Sequence, residues 1–506
     1  MYDTNTKRSS KVYKLHNELE KGIINFTSGG NKMKKRLLAL ILAACTVVSM
    51  TGCGSSAAAP APAADAPAPA ADAAAPAAEE AAPAADAAAP AAEEAAEPAP
   101  AGAQELTFWT FQAAHQAFME DAAKRWNETY PDRPIDFKAE TLGYDDLHNN
   151  LLISLQTGTG APDIADIEIS MYANFITGDE ADIPLLPLND VVEPDKDNLI
   201  MGRFDNYANH GNYYGVDYHV GATCLMYNKE IFEQAGVDIN SIETWDDFKE
   251  AGKTIREKTG KYIMACETTE HWTYYPLITE RGGDFFDPVT GEVTLDSDVN
   301  IETLQWLLDG LNDDIFCEMP GGFCHSEEWY AYMNEGNVAC IGIPLWYLNR
   351  FTDYMPDLKG KMAVRTLPVW EKGGRNSAGL GGTGTSVTIQ AKDPQLAKDF
   401  LYFAKISQEG AIATWTDLGF DPIRKDIYTD PVMTAPNRFT DYFGNEVYDV
   451  MDATADSIVA LSTSNPLYPE ALTRVQKTVM FNVLHDKSQT PEEALKQAAD
   501  ELRAMQ

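Results

Sequence analysis

The sequence predicts an α/β fold built on parallel strands covered by helices, and three observations carry that expectation. Short β-rich apolar runs alternate with windows of helical periodicity from about residue 104 onward. Gly and Pro punctuate the boundaries between them. The stretch 104–506 also has ordinary globular composition with many aromatics, and it is long enough for two domains with separate cores.

Residues 1–32 read as a misassigned start, because a basic n-region begins only at Met33. Lys34, Lys35 and Arg36 precede an apolar run from Leu37 to Val48, too short for a comfortable membrane span. The tetrad Met50-Thr51-Gly52-Cys53 resembles the lipobox of bacterial lipoproteins. The resemblance implies a signal peptide over 33–52, cleavage before Cys53, a diacylglycerol on its sulfur, and export with the protein held to the membrane by lipid. A plain secretory signal is the alternative. Leu42-Ala43-Ala44-Cys45 fits the pattern too but would leave a very short signal. Residues 53–103 then form the anchor and a tether of Ala, Pro, Asp and Glu. Between Ser55 and Ala103 it holds eight acidic residues and no basic, aromatic or branched apolar one, so it has nothing with which to build a core. Repeated Pro favours extended conformers, with a ceiling of about 150 Å on reach.

The first strand is expected at Leu106–Phe111, followed by a helix from His115 to Tyr130, a strand at Ile135–Ala139 and a helix from Tyr144 to about Gln156. A buried strand at Ile164–Ile167 closes this first series. Further strands are expected at Cys224–Tyr227, Tyr262–Cys266, Val338–Ile343 and Val387–Gln390. Helices are expected at Trp245–Lys258 (capped by Thr244), 300–313, 326–334 and Pro394–Ile406. Alternation of this length implies a parallel sheet. Trp126, Trp245 and Trp306 fall on apolar helix faces and read as core. The cysteines Cys224, Cys266, Cys317, Cys324 and Cys340 are odd in number and irregular in spacing, so they form no disulfide framework, although Cys317 and Cys324 could pair.

The formal net charge of −38 is spread over tether and domain. That argues against nucleic acid or an anionic lipid surface as partner, since both need basic patches. No zinc-protease helix, nucleophile elbow or ligand set with metal spacing occurs, and Gly381-Gly382-Thr383 lacks the lysine of a phosphate loop. Neither cofactor nor catalysis is expected.

Several segments carry a specific resemblance. The run from Tyr214 to Phe232, with Asp217, His219, Gly221 and Asn228, resembles the crossover of sugar-binding proteins of ABC importers, the extracellular solute-binding family 1. Ala235-Gly-Val, Thr244-Trp-Asp-Asp-Phe248, Gly282-Gly-Asp284, Met333-Asn-Glu-Gly336 and Gly381-Gly-Thr-Gly-Thr385 follow in family order. Within the family, the chain resembles receptors for lactose, arabinose and short oligosaccharides more than it resembles maltodextrin receptors. The resemblance implies a two-lobe, periplasmic-binding-protein-like fold of type II with the ligand cleft between lobes. Lobe one would hold about 104–217 and 369–435, lobe two about 222–362 and 436–506, with Tyr218–Gly221 as a hinge. It further implies a monomer that delivers a small carbohydrate to the transmembrane subunits of an ABC permease at the extracytoplasmic face.

Sugar recognition needs flat aromatic faces for the C–H side of the ring and polar side chains for its hydroxyls. Residues of both kinds stand at expected strand ends: Trp109, Phe111 and Gln112 after the first strand, Glu168 and Tyr172 after the third, Asp217 and His219 at the crossover. Glu270 and Trp272 match a receptor segment in which an acid and an aromatic two residues later hold the sugar. Trp346 stands one position from the receptors' usual aromatic. Gly382 and Thr383 offer backbone N–H groups and a hydroxyl. Trp415 and Asp417 are weaker candidates. The competing readings are a surface-anchored glycosidase using paired carboxylates, and a sensor or adhesin lipoprotein on the same fold.

Overall fold

The computed structural model describes residues 100–506. The start segment, the signal, Cys53 and nearly all of the tether lie outside the described residues.

Lobe one is built on β1 (Gln104–Thr110), α1 (Ala113–Thr129), β2 (Ile135–Thr141), α2 (Tyr144–Thr157) and β3 (Ile164–Glu168). Alternation along β1 sorts its side chains. Leu106 and Phe108 pack with Phe118, Met119 and Trp126 of α1, while Trp109 packs on the opposite side with the core that contains Leu151 and Leu155 of α2. Asp145 and Asp146 in the first turn of α2 complement its dipole, and Gly158 in the left-handed region ends it. β1 pairs in parallel with β2 (Leu106 opposite Phe137) and with β3 (Phe108 opposite Ile164).

The chain then crosses to lobe two. β4 (Thr223–Asn228) leads to α3 (Lys229–Ala235) and α4 (Trp245–Thr259), which starts on a reciprocal capping box between Thr244 and Asp247. β5 (Met264–Cys266), α5 (Tyr275–Glu280), α6 (Asp298–Asn312), β6 (Phe316–Glu318), α7 (Glu327–Asn334), β7 (Cys340–Pro344) and β8 (Met362–Thr366) follow. β9 (Thr383–Val387) returns to lobe one and lies antiparallel against β3. α8 (Pro394–Leu401), which continues into a π-helical turn at Tyr402–Ile406, and α9 (Gln408–Ala413) come next. α10 (Tyr468–Arg474) and α11 (Pro491–Arg503) pack on the lobe-two core with Leu304 and Leu307 of α6.

The two-lobe α/β architecture is as expected, with two corrections. In lobe two β8, β4 and β7 are antiparallel, and only the short pair β5 and β6 is parallel. A strand buried on both faces has the same apolar composition in either direction, so the connections decide. The strand expected at Val387–Gln390 lies earlier, at Thr383–Val387, because Gly384 fits against the rings of Tyr172 and Tyr207, where no larger residue would. Trp126, Trp245 and Trp306 are core residues. All five cysteines among the described residues are free thiols, Cys317 and Cys324 included.

Three segments cross between the lobes: 217–222, 378–383 and 420–424. Leu380 N–H donates to Gly221 O (3.0 Å) and Thr223 N–H to Ala378 O (2.9 Å), pairing the first two. Val220 N–H donates to Asp421 O (2.8 Å) and adds the third. Gly221 sits at φ 68°, and a Cβ there would run into Leu380 O.

Candidate functional site

The parallel strands β1 and β3 of lobe one run to carboxyl ends at Thr110 and Glu168, and open α/β sheets take ligands just beyond such ends. On the lobe-one side, β1 leads into Phe111 and Gln112, the latter at the start of α1. The Phe111 ring meets Tyr144 (5.3 Å between centroids) and His148 (5.5 Å) from the first turns of α2. His148 is a fixed tautomer. Its Nδ1 donates to Tyr144 O (2.7 Å) and its Nε2 accepts from Glu168 N–H (3.1 Å), so the ring carries one proton, and burial lowers it to about 4. Glu168 ends β3, where its carboxylate accepts from Ser170 N–H (2.8 Å) and Tyr144 OH (3.1 Å). Burial raises its pKa despite those bonds and despite the favourable charge of His271 from lobe two.

On the lobe-two side two loops are stapled together. Buried Glu267 accepts from Thr273 N–H (3.1 Å) and Cys324 N–H (2.9 Å), while Gly322 O accepts from Thr268 N–H (2.9 Å). Burial, reinforced by the neighbouring Glu270, pushes Glu267 up to about 8. The staple brings Glu270, His271 and Trp272 beside His325. Trp346 follows β7, and its Nε1 donates to Leu380 O (3.0 Å) of the second crossing segment. The planes of Trp346 and His325 lie within 9° of parallel at 5.8 Å, and Trp272 stands almost perpendicular to both, at 77° and 79°. The result is an aromatic corner, with the bare Cα of Gly381 against the Trp272 and Trp346 indoles. Burial, aided by Arg350, lowers His325 to about 3, so its ring is neutral at physiological pH. Half-buried Glu270 accepts from Gln476 Nε2, which also approaches His271 Nδ1 (3.1 Å). His219 lies at the floor, its ring 5.0 Å from Phe420 and 6.4 Å from Trp346. Burial lowers it to about 3, and its Nδ1 is buried without a partner.

Of the residues expected in the site, the structure brings Glu270, Trp272, Trp346 and His219 close to one another, while Phe111 and Glu168 both meet the Tyr144–His148 end of α2 on lobe one, with Gln112 next to Phe111. Trp109 is half-buried at the end of β1 against the α2 side. Four residues belong to the frame instead. Tyr172 is fully buried, its hydroxyl bonded to Ser386 (2.7 Å). Asp217 is buried in an ion pair: Arg203 Nη2 (2.5 Å) and Tyr207 OH (2.6 Å) donate to Oδ2, and Tyr218 N–H (2.8 Å) and Thr383 N–H (3.2 Å) to Oδ1. Burial opposes the Asp217 charge, but Arg203, His219 and Tyr207 hold the carboxyl at about 2. Gly382, at φ 151°, has its Cα against Arg203, Tyr207 and Asp217, so it offers no open face. The Thr383 N–H is already taken by Asp217. Trp415 is core as well, its Nε1 bonded to Met433 O (3.0 Å), while Asp417 is exposed and accepts from Thr416 OH (2.8 Å).

Sequence reasoning missed Tyr144, His148, His271, His325 and Gln476. Tyr144 and His148 share an i, i+4 helix face with Phe111 nearby, a signal that was available. Gln476 is 206 residues from Glu270 and carried none.

Similarity to known proteins follows the same lines. An arabinooligosaccharide-binding protein of Halalkalibacterium halodurans is 49% identical over 406 residues, covering 80% of this chain and 90% of the relative. One of Bacillus subtilis is 43% identical over 410 residues, covering 80% and 93%. Among solved structures, the GacH receptor of Streptomyces glaucescens, determined unliganded and with acarbose, superposes with a TM-score of 0.65 at 21% identity, covering 79% of this chain and 98% of that one. A binding protein from B. animalis subsp. lactis in complex with beta-1,6-galactobiose gives 0.65 at 21%, covering 79% and 97%. The profile described as bacterial extracellular solute-binding protein matches residues 110–405, and the chain belongs to that family.

Proposed function

We propose that this protein is the extracytoplasmic receptor of an ABC carbohydrate importer and that it captures arabinose-containing oligosaccharides. The aromatic corner of Trp272, Trp346 and His325 beside Glu270 carries the reading: flat apolar faces next to an acceptor suit a sugar ring and its hydroxyls. The two arabinooligosaccharide-binding relatives supply the sugar class. Phe111, Gln112, Glu168 and Trp109 form the lobe-one share of the site, and His219 the floor. Ligand touching both walls favours the closed arrangement, because only there are both sets of contacts made. The loaded monomer then docks on the permease subunits. The site binds without chemistry, so the sugar is released intact.

A thermal-shift screen with arabinotriose, lactose and mannitol tests the sugar class. A ligand at about a hundred times its Kd adds about 2.7 kcal/mol of stability. Arabinotriose should give the largest shift, and small-angle scattering should show a smaller radius of gyration with it than without. No shift with arabinotriose at millimolar concentration would overturn the reading, and release of shorter sugars on incubation would indicate a hydrolase.

The lipid anchor is part of the same proposal. Cys53→Ser should release the protein from the membrane fraction, and the mature N-terminal peptide of the wild type should carry the mass of a diacylglyceryl group; an unmodified Cys53 peptide would refute anchoring.

A further inference from the structure

The third crossing segment holds a buried acid that no sugar-binding role uses. Asp421 Oδ2 accepts from Ala222 N–H at 2.8 Å, and its carbonyl accepts from Val220 N–H at 2.8 Å. One residue therefore grips the chain on both sides of Gly221. Gly221 in turn accepts from Leu380 N–H of the second segment, so all three crossings meet within a few residues. The other oxygen of Asp421, Oδ1, is buried and makes no hydrogen bond of good geometry. The N–H groups of Asp421 and Gly221 lie near the carboxylate and favour its charge without completing a bond to Oδ1. At the opposite end of the same short stretch, Asp217 grips Tyr218 N–H and Thr383 N–H from the lobe-one side. The stretch His219–Gly221 is thus clasped by a carboxylate at each end, with a left-handed glycine inside it.

We propose that Asp421 is a positioning residue for lobe closure: its carbonyl and carboxylate clamp Val220 and Ala222 to the third crossing segment, confining rotation to the short stretch His219–Gly221. The inference rests on the reading that sugar binding closes the lobes. Protonating Asp421 weakens the bond its carboxylate accepts from Ala222 N–H, so the clamp should respond to its own protonation. Burial pushes Asp421 up to about 7, although the N–H groups of Ala222, Asp421 and Gly221 favour its charged form. The charged and titratable groups facing it are Arg203, which favours the charge, and the Cys224 thiol and Tyr428 hydroxyl.

The test uses hydrogen exchange of the ligand-free full chain, read on the peptide spanning 217–223, together with calorimetric titration of arabinotriose at pH 6 and pH 8. Asp421→Ala should speed exchange of the Ala222 amide by about tenfold, corrected for intrinsic rates, while the Val220 amide, bonded to the Asp421 backbone carbonyl, and the amides of β1 and β3 exchange as in the wild type, and it should weaken arabinotriose binding by a similar factor. Asp421→Asn keeps an acceptor for Ala222 and should restore protection, yet lose the difference in affinity between pH 6 and pH 8 expected of the wild type. Unchanged exchange at 217–223 in Asp421→Ala, or a wild-type pH dependence in Asp421→Asn, would overturn the proposal. Should Asp421→Ala fail to fold, Asp421→Asn decides by its pH dependence. Failure of arabinotriose to bind the wild type would refute the sugar reading, while exchange in the ligand-free protein would still decide the clamp.

Discussion

Replacing Asp217 by Ala is expected to destabilise the protein by about 3–5 kcal/mol, because it strands the buried Arg203 guanidinium without its counter-charge. Both side chains are almost fully removed from water, and the Arg203 Nη2 group that bonds Asp217 also donates to Gly381 O (2.6 Å). The loss would spread along both crossing segments, since Tyr218 and Thr383 lose their acceptor together. Urea unfolding measures it as a lower midpoint. The pH dependence has a definite sign. The folded carboxyl stands at about 2, below the ordinary value of 3.8, so its contribution is complete above the ordinary value and lost as pH falls through the folded one. The gap between wild type and Asp217→Ala should therefore narrow between about pH 4 and pH 2. A variant with wild-type stability at pH 7 would show that the ion pair does not hold the crossing in place.

Removing the Trp272 indole should weaken sugar binding by about 2–3 kcal/mol, a factor of about 30–150 in Kd. Its half-exposed ring stands against Trp346 at 5.5 Å and His325 at 6.0 Å and closes one side of the corner. Trp272→Ala deletes about 100 Å² of stacking surface and leaves the lobe cores intact. Glu270→Gln should cost about 1.5–3 kcal/mol, since charge-assisted hydrogen bonds to hydroxyls become neutral ones. Calorimetry with arabinotriose decides both, with unfolding curves as controls. The two effects should fall short of additivity because Glu270 and Trp272 share one loop. Wild-type affinity in both variants would remove this corner from the site.

The contrast between these two sites shows what a sequence discloses. The closeness of an acid and an aromatic at 270 and 272 is legible because it is local: two side chains on one loop, flanking His271, and their role in sugar binding is the proposal above. Asp217 misled for the opposite reason. An aspartate beside tyrosine and histidine has the composition of a sugar site, and its true partner, Arg203, stands 14 residues earlier on a short helical turn. The capping box of α4 was legible, since Thr244 and Asp247 are three residues apart. The antiparallel order of lobe two was not, because Cys224–Met226 and Ile341 are buried whichever way the strands run. β9 was misplaced for a related reason. Its residues Thr383–Val387 are chosen to fit between tyrosines, so they carry little of the bulky branched character that marks a strand.

The position of Gln476 beside Glu270 has a consequence for how the molecule is made. The residues proposed for the cleft are Phe111, Glu168, His219, Glu270, His325, Trp346 and Gln476, and the chain passes between the lobes three times before the last of them arrives. A contact spanning 206 residues closes late, because the entropy of long loops must be overcome before such contacts add stability. Lobe one needs the returning strand β9 and lobe two the C-terminal helices α10 and α11, so neither core is completed by one continuous stretch of chain. The Gln476 contact therefore forms only once the C-terminal helices have docked, and the part of the corner that holds Glu270 is completed by the last portion of the chain.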